Sequence, residues 1–226
     1  MRIGFIILCR YGSSRLPGKI LRMIQNKPLL QYIYERVRCA APPEDIVVAT
    51  GNDPSNLPIT EYCNKMNIPC FVGEEENVAQ RFLDCAEENR FDFAVRINGD
   101  NLFVSPRIIR EMIPVARTGQ YDFVSNVKGR TFPTGMSVEF LRTSFYHDLV
   151  KKFTTPEYRE HVTLYLYEHE NEGRQFFFYN TICPEAKGRN FAIDTIDDFK
   201  TAEKLLLKIT NDHTNYDICD WVKMDE

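Results

Sequence analysis

The stretch IGFIILCRYGSSRLPGK, Ile3 to Lys19, joins a short apolar run to a dense polar loop. IGFIIL has the pattern of a buried β-strand. The loop RYGSSRLPGK, Arg10 to Lys19, then carries two glycines, two serines, a proline, two arginines and a lysine. In an open α/β sheet, ligands bind outside the carboxyl ends of the strands, and this loop leaves such an end. Its glycines let main-chain N–H groups approach a phosphate. Arg15 can clamp phosphate oxygens with its fork, and Lys19 adds a compact point charge. Two familiar phosphate loops do not fit. Five residues separate Gly12 from Gly18, and Ile20 follows Lys19, so neither the G-x-x-x-x-G-K-[ST] spacing nor its hydroxyl is present. The G-x-G-x-x-G pattern is absent as well. On residue types alone, a phosphate cradle and a solvated basic loop both stay open.

Outward from that loop, strand-like and helix-like stretches alternate. PLLQYIYERVRCA has helical spacing, with Pro28 suited to a first helical position. DIVVAT predicts a strand, PITEYCNKM a helix and PCFVG a short strand. NVAQRFLDCAEEN sets Val78, Phe82 and Ala86 on one helical face. FDFAVRI predicts a strand. SPRIIREMIPVA predicts a helix with Ser105 as N-cap and Pro106 at its first position. Further on, YDFVSNV, GMSVEFLR, QFFFYNT and RNFAID read as strands. TTPEYREHVTLYLYEH reads as one helix, with Thr154 and Glu157 as a capping box, and DDFKTAEKLLLKI as a closing helix. This order predicts an α/β sandwich with a mainly parallel sheet.

The chain has 226 residues, 43% of them hydrophobic and 27% charged, with a net charge of −4. That composition suits a folded domain and argues against a nucleic-acid binder. No apolar run approaches the roughly 20 residues of a membrane span, and the amino-terminal run reads as a strand rather than a signal peptide. Seven scattered cysteines without a C-x-x-C pair fit buried free thiols in a reducing cytoplasm. Asp100 and Asp194 each end a predicted strand. Two carboxylates beside a basic loop suit Mg²⁺, while each alone equally suits a turn or N-cap role. Glu139 inside SVEFL requires a partner, and an ion pair with Arg159 would serve. His161 and His169 lack a third ligand for zinc.

RYGSSRLPGKIL resembles the signature R-x-[GA]-S-[ST]-R-L-P-G-K-x-L of the cytidylyltransferases that activate acidic sugars. The spore-coat polysaccharide type is nearest, with CMP-KDO synthetases and acylneuraminate cytidylyltransferases related. GEEENVAQRF, VRINGDNLFVSP, FPTGMSVEFL, REHVTLYLYEH and RNFAIDTIDDF resemble further family segments, so the likeness spans nearly the whole chain. Leu8 and Cys9 replace a usual Gln-Ala, Leu102 a usual Pro, Ser105 an Asp and Asp198 a Glu.

The resemblance implies a Rossmann-like three-layer α/β/α sandwich of the nucleotide-diphospho-sugar transferase type. It implies a single nucleotidyltransferase domain over 1–226, with a lid or dimerisation insertion at about 127–185. The implied reaction moves CMP from CTP to an acidic sugar, releasing pyrophosphate. Arg15, Lys19 and Asp100 would be catalytic. Leu8, Arg10, Gly12, Ser13, Ser14, Ala49, Thr50, Arg81 and Asn98 would join Arg15 and Lys19 around the nucleotide. Glu139, Arg159 and His161 would meet the acceptor, and Asp100 with Asp194 would hold Mg²⁺. Relatives are commonly homodimers, and the aromatics between 153 and 179 suit an interface. Cytidylyl or guanylyl transfer to a phosphorylated acceptor, and a non-catalytic or glycosyltransferase-like nucleotide binder, are the competing readings.

Overall fold

The computed structural model describes residues 1–13 and 15–226. From the amino terminus come β1 (Ile3–Leu8), a ribbon of β2 (Met23–Ile24) and β3 (Lys27–Pro28), α1 (Leu29–Arg38) and β4 (Ile46–Gly51). Then follow α2 (Leu57–Met66), β5 (Cys70–Gly73), α3 (Val78–Glu88), β6 (Phe93–Asn98), α4 (Pro106–Arg117) and β7 (Phe123–Ser125). The remainder holds β8 (Glu139–Arg142), α5 (Thr143–Leu149), α6 (Pro156–Glu160), α7 (Leu164–Glu168), β9 (Gln175–Phe177), α8 (Ile196–Lys208) and α9 (Ile218–Asp225).

Seven strands form one sheet in the order β5-β4-β1-β6-β8-β7-β9. All run in one sense except β8, which is antiparallel to both neighbours. Successive side chains on a strand point to opposite faces, so a strand buried on both faces must be apolar throughout. β1 shows this directly. Ile3, Phe5 and Ile7 enter one core with residues of α1, α2, α4, α8 and α9. Ile6 and Leu8 enter the other with residues of α3, α5 and α7. The three-layer α/β/α sandwich read from the sequence is therefore what the chain builds. β4 pairs on one side of β1 and β6 on the other. The loops leaving β1 and β6 both line a crevice at the carboxyl rim, the place where such sheets bind ligands.

Several elements differ from the sequence expectation. Pro28 ends β3 as the N-cap of α1 and is not in its first turn. The ribbon and a short 3-10 turn at Lys19–Leu21 occupy what reads as free loop. The predicted helix from 154 to 169 is two short helices broken at His161–Thr163, and its N-cap is Thr155 in place of Thr154. Val162 and Thr163 are β-branched and weak helix formers. The Val162 carbonyl accepts instead from Tyr146 Oη at 2.8 Å, and Thr163 Oγ1 accepts from Arg96 at 3.3 Å. RNFAID joins no ladder of the sheet. It is an extended strap, with Phe191 N on Thr134 O at 2.8 Å and Ile193 N on Asp100 O at 3.2 Å. Nor does α8 close the chain, because α9 packs after it and buries Trp221 completely.

The stretch from 127 to 185 supplies β8 and β9 to the sheet and α5–α7 to one face. Several of its aromatics pack against this chain's own cores, while Tyr179 is exposed. Phe153 stacks near Tyr146, Tyr158 and Tyr165, and Phe123 meets Tyr167 and Phe177. Beneath the strap sits Gly135 at φ +86°, where an added Cβ would lie 2.2 Å from the Ala192 nitrogen. Backbone on backbone cannot yield as a side-chain tip can, and the φ is unfavourable for any L side chain. Gly135→Ala is expected to cost about 2–4 kcal/mol and lower Tm by roughly 5–15 °C. A thermal melt within about 2 °C of the parent would show that the strap has freedom the packing denies.

Candidate active site

The crevice holds a cleft of about 410 Å³. Leu8, Arg10, Ser13, Arg15 and Lys19 line it from β1 and its loop, Arg81 from α3, and Asn98 and Asp100 from the end of β6. His161 closes one side and Asp194 arrives on the strap. Ser14 lies outside the described residues. The cleft also takes Cys9, Val78, Arg96, Gly99 and Glu160, which sequence reasoning did not single out.

Each element places its side chain for a local reason. The loop after β1 folds on the Tyr11 carbonyl, which accepts from Ser13 N at 2.9 Å and Gly18 N at 2.8 Å. The chain then enters the 3-10 turn, bringing Lys19 inward. Lys19 Nζ donates to Ile193 O at 2.6 Å and to Asp194 Oδ1 at 3.0 Å. Arg15 Nη2 lies 3.0 Å from Asp194 Oδ2, from a largely exposed position. At the end of β6, Gly99 N donates to Leu8 O at 2.8 Å, and a Cβ on Gly99 would stand 2.8 Å from Cys9 Cβ. Only glycine lets the two strand ends approach that closely, and the approach sets Asp100 opposite the loop.

Asp100 is the unsatisfied carboxylate of the site, beside the unpartnered Nε atoms of Arg81 and Arg96. Its Oδ1 is buried without a hydrogen-bond partner among the described residues. Burial pushes its carboxyl above the usual carboxylate range, the Asp194 charge adds to this, and Lys19 and Arg96 oppose it. A buried carboxylate oxygen without a donor, next to a second carboxylate, is a donor set for a hard divalent cation. Asp194 does not cap α8. Thr195 does, in a capping box with Asp198, and this frees the Asp194 carboxylate for the cleft.

Two arginines stand in the cleft wall, Arg81 buried and Arg96 half-buried. Arg81 donates to the carbonyls of Glu74 and Glu75, leaves its Nε unpaired, and is held below the usual arginine range by burial. Arg96 stands directly across from Glu139 in the β6–β8 register, and the two form an ion pair. Burial alone would lower Arg96, but the Glu139 carboxylate overrides it and raises the group. Glu139 also accepts from Tyr167 Oη. The partner of Glu139 is therefore Arg96 rather than Arg159. An arginine inside the apolar strand FAVRI was the available sequence signal for it.

The remaining candidates stand further back. Arg159 is exposed, with Nε 3.4 Å from Phe153 O on its own segment. Gly12 is exposed with open space around it, and Ala49 and Thr50 are buried at the end of β4. Arg10 Nη2 reaches Glu160 Oε1 at 3.3 Å across the mouth.

A family model described as cytidylyltransferase matches residues 4–218. The spore coat polysaccharide biosynthesis protein SpsF of Bacillus subtilis (strain 168) is 30% identical over 213 residues, 91% of this chain and 87% of that protein. The 3-deoxy-manno-octulosonate cytidylyltransferase 2 of Hydrogenovibrio crunogenus is 32% identical over 126 residues, 54% of this chain and 50% of that protein. A solved cytidylyltransferase from Leptospira borgpetersenii superposes with a TM-score of 0.91 at 27% identity, covering 99% of this chain and 93% of that one.

The geometry of Asp100 makes a prediction of its own. With the folded pKa raised, the folded state is favoured below the unfolded value near 3.9, and that advantage is lost as pH rises through the folded value. At pH 7 in metal-free buffer the ionised carboxylate is a net cost. Asp100→Asn should then match or exceed the parent's stability, by about 1 kcal/mol, and flatten that part of the pH profile. A variant clearly less stable at pH 7 in chelator would make Asp100 a structural turn residue.

Proposed function

The chain belongs to the cytidylyltransferase family, and we propose that it moves CMP from CTP to the oxygen of an acidic sugar. The observation that carries this reading is Lys19 and Arg15 converging on Asp194 beside the unpartnered Asp100 oxygen. Cations and carboxylates that neutralise one another in the free protein separate when a triphosphate and a divalent ion arrive together. Asp100 and Asp194 would hold Mg²⁺, which when bound offsets charge on the phosphates and polarises the reacting phosphoryl group.

This chain's own residues then do the positioning. Lys19, fastened to Ile193 O, presents its ammonium to the triphosphate, and Arg15 closes on it from the solvent side. The acceptor oxygen attacks the α-phosphorus, the bond to the β-phosphate bridging oxygen breaks, and pyrophosphate leaves with the electron pair. Lys19 and Arg15 offset the charge that builds on that leaving group. Arg10, Ser13, Arg81 and Asn98 border the nucleotide, with Leu8 beneath it and Gly12 in the loop above. Ala49 and Thr50 at the end of β4 stand toward the base, and Ser14 belongs to the same loop by sequence. His161 and Arg96, held by Glu139, face the acceptor, with Arg159 behind them on the same segment. The stretch from about 127 to 185 supplies the lid or dimerisation contacts, and the protein works as a homodimer.

Incubation with CTP, GTP, ATP or UTP and a panel of sugar acids and sugar phosphates, read by mass spectrometry, tests the whole reading. CTP with a sugar acid should give a CMP-sugar and pyrophosphate. Product only with phosphorylated acceptors, or none from CTP, overturns it. Lys19→Ala removes a charge-assisted contact worth about 2–4 kcal/mol, so kcat/KM should fall roughly 30- to 1,000-fold. A loss under about threefold with the circular dichroism unchanged would remove Lys19 from the cradle.

A further inference from the structure

Away from the cleft, three donor atoms converge that the transfer reaction does not use. Cys183 lies in the segment after β9, Glu185 in the 3-10 turn that follows, and Cys219 in the first turn of α9. Their sulfur, oxygen and sulfur atoms all lie within 4.8 Å of one another. The two cysteines are distant in sequence, and separate hydrogen-bond systems hold them in place. Asn180 Oδ1 accepts from Cys183 N at 3.1 Å while its Nδ2 donates to Cys183 O at 2.8 Å. On the other side, Asp217 caps α9 by accepting from Ile218 N at 2.8 Å, and Asp220 returns the bond to Asp217 N at 2.9 Å. Cys183 is fully buried, Cys219 half-buried, and Glu185 exposed with a carboxylate oxygen already near both sulfurs. A cavity of about 280 Å³, lined among others by Cys183, Cys219, Asn180 and Phe132, opens beside the two sulfurs.

We propose that Cys183, Cys219 and Glu185 bind a zinc ion, with water in the fourth position. Tetrahedral zinc places two thiolate sulfurs about 3.8 Å apart and a carboxylate oxygen slightly nearer, so the donors need to draw in by at most about 1 Å. Two soft thiolates with one carboxylate select zinc over magnesium or calcium, which prefer all-oxygen sets. Binding releases both thiol protons to solvent and forms two sulfur–zinc bonds and one oxygen–zinc bond, with no change of oxidation state. The ion clips α9 to the segment that continues through Asn190 into the strap bearing Asp194. Its effect is on stability, independent of the reaction proposed above.

The test uses the full chain in reduced form. Cobalt(II) titration should give the near-ultraviolet sulfur-to-cobalt charge-transfer band, saturating at one ion per chain, with zinc displacing it. Cys183→Ser and Cys219→Ser should each lose most of the band, while Cys39→Ser, outside the cluster, keeps it. Zinc should raise the Tm of the parent by several degrees and leave Cys219→Ser unmoved. That variant changes a half-buried thiol, and circular dichroism checks that it folds. No band in the parent, a band surviving in both cluster variants, or a mass two hydrogens lower from a Cys183–Cys219 disulfide in place of metal uptake would overturn the proposal.

Discussion

Lys19 Nζ lies 3.0 Å from Asp194 Oδ1 and 2.6 Å from the Ile193 carbonyl, which fastens the loop leaving β1 to a strap formed near the end of the chain. That contact depends on everything between. β1 must lie between β4 and β6, so that its loop opens over the crevice. The strap must cross Gly135 at a distance only glycine tolerates. Asp198 must satisfy Thr195 and the Asp194 amide, leaving the Asp194 carboxylate free. The condition at Gly135 concerns backbone geometry and that at Asp198 a carboxylate that satisfies backbone amides, and both decide where the charge of the site falls.

The antiparallel strand β8 has a similar consequence. Its register sets Glu139 across from Arg96, and cross-strand pairs of opposite charge on one face of a sheet reinforce each other. Inside a sandwich the pair would be costly without further partners, and Tyr167, Thr163 and Ser125 extend it into a network. Tyr167 and Thr163 come from the segment that breaks the expected helix. The break at Thr163, α7 through Tyr167, the antiparallel strand and Arg96 therefore meet in one network beside the cleft.

Much of the fold was legible because it rests on short-range pattern. Ser105 before Pro106, the four-residue spacing of Val78, Phe82 and Ala86, and the apolar runs of β1 and β4 each follow from local sterics and from burial on both sheet faces. The site was legible in part for the same reason, since Lys19, Arg15 and Asp100 sit in ordered local motifs at strand ends. The missed features are those where a local pattern lost to a distant partner. RNFAID has strand composition but finds Thr134 and Asp100 rather than a ladder. REHVT has helical neighbours but gives its Val162 carbonyl to Tyr146. The aromatic stretch from 158 to 179 divides its rings, Tyr158, Tyr165, Tyr167 and Phe177 against one core and Phe176 and Phe178 against the other, with Tyr179 exposed.

By itself, the sequence determined the class of fold, the strand-end positions of the basic loop and of Asp100, and the family. Each of these depends on residue order along a few contiguous positions. Only the tertiary structure decided that Glu139 answers Arg96, that Glu160 borders the cleft, and that Cys183, Glu185 and Cys219 meet. Register across strands and the path of the strap are set by the packing of the whole sheet and both cores, and no local run of residues encodes them.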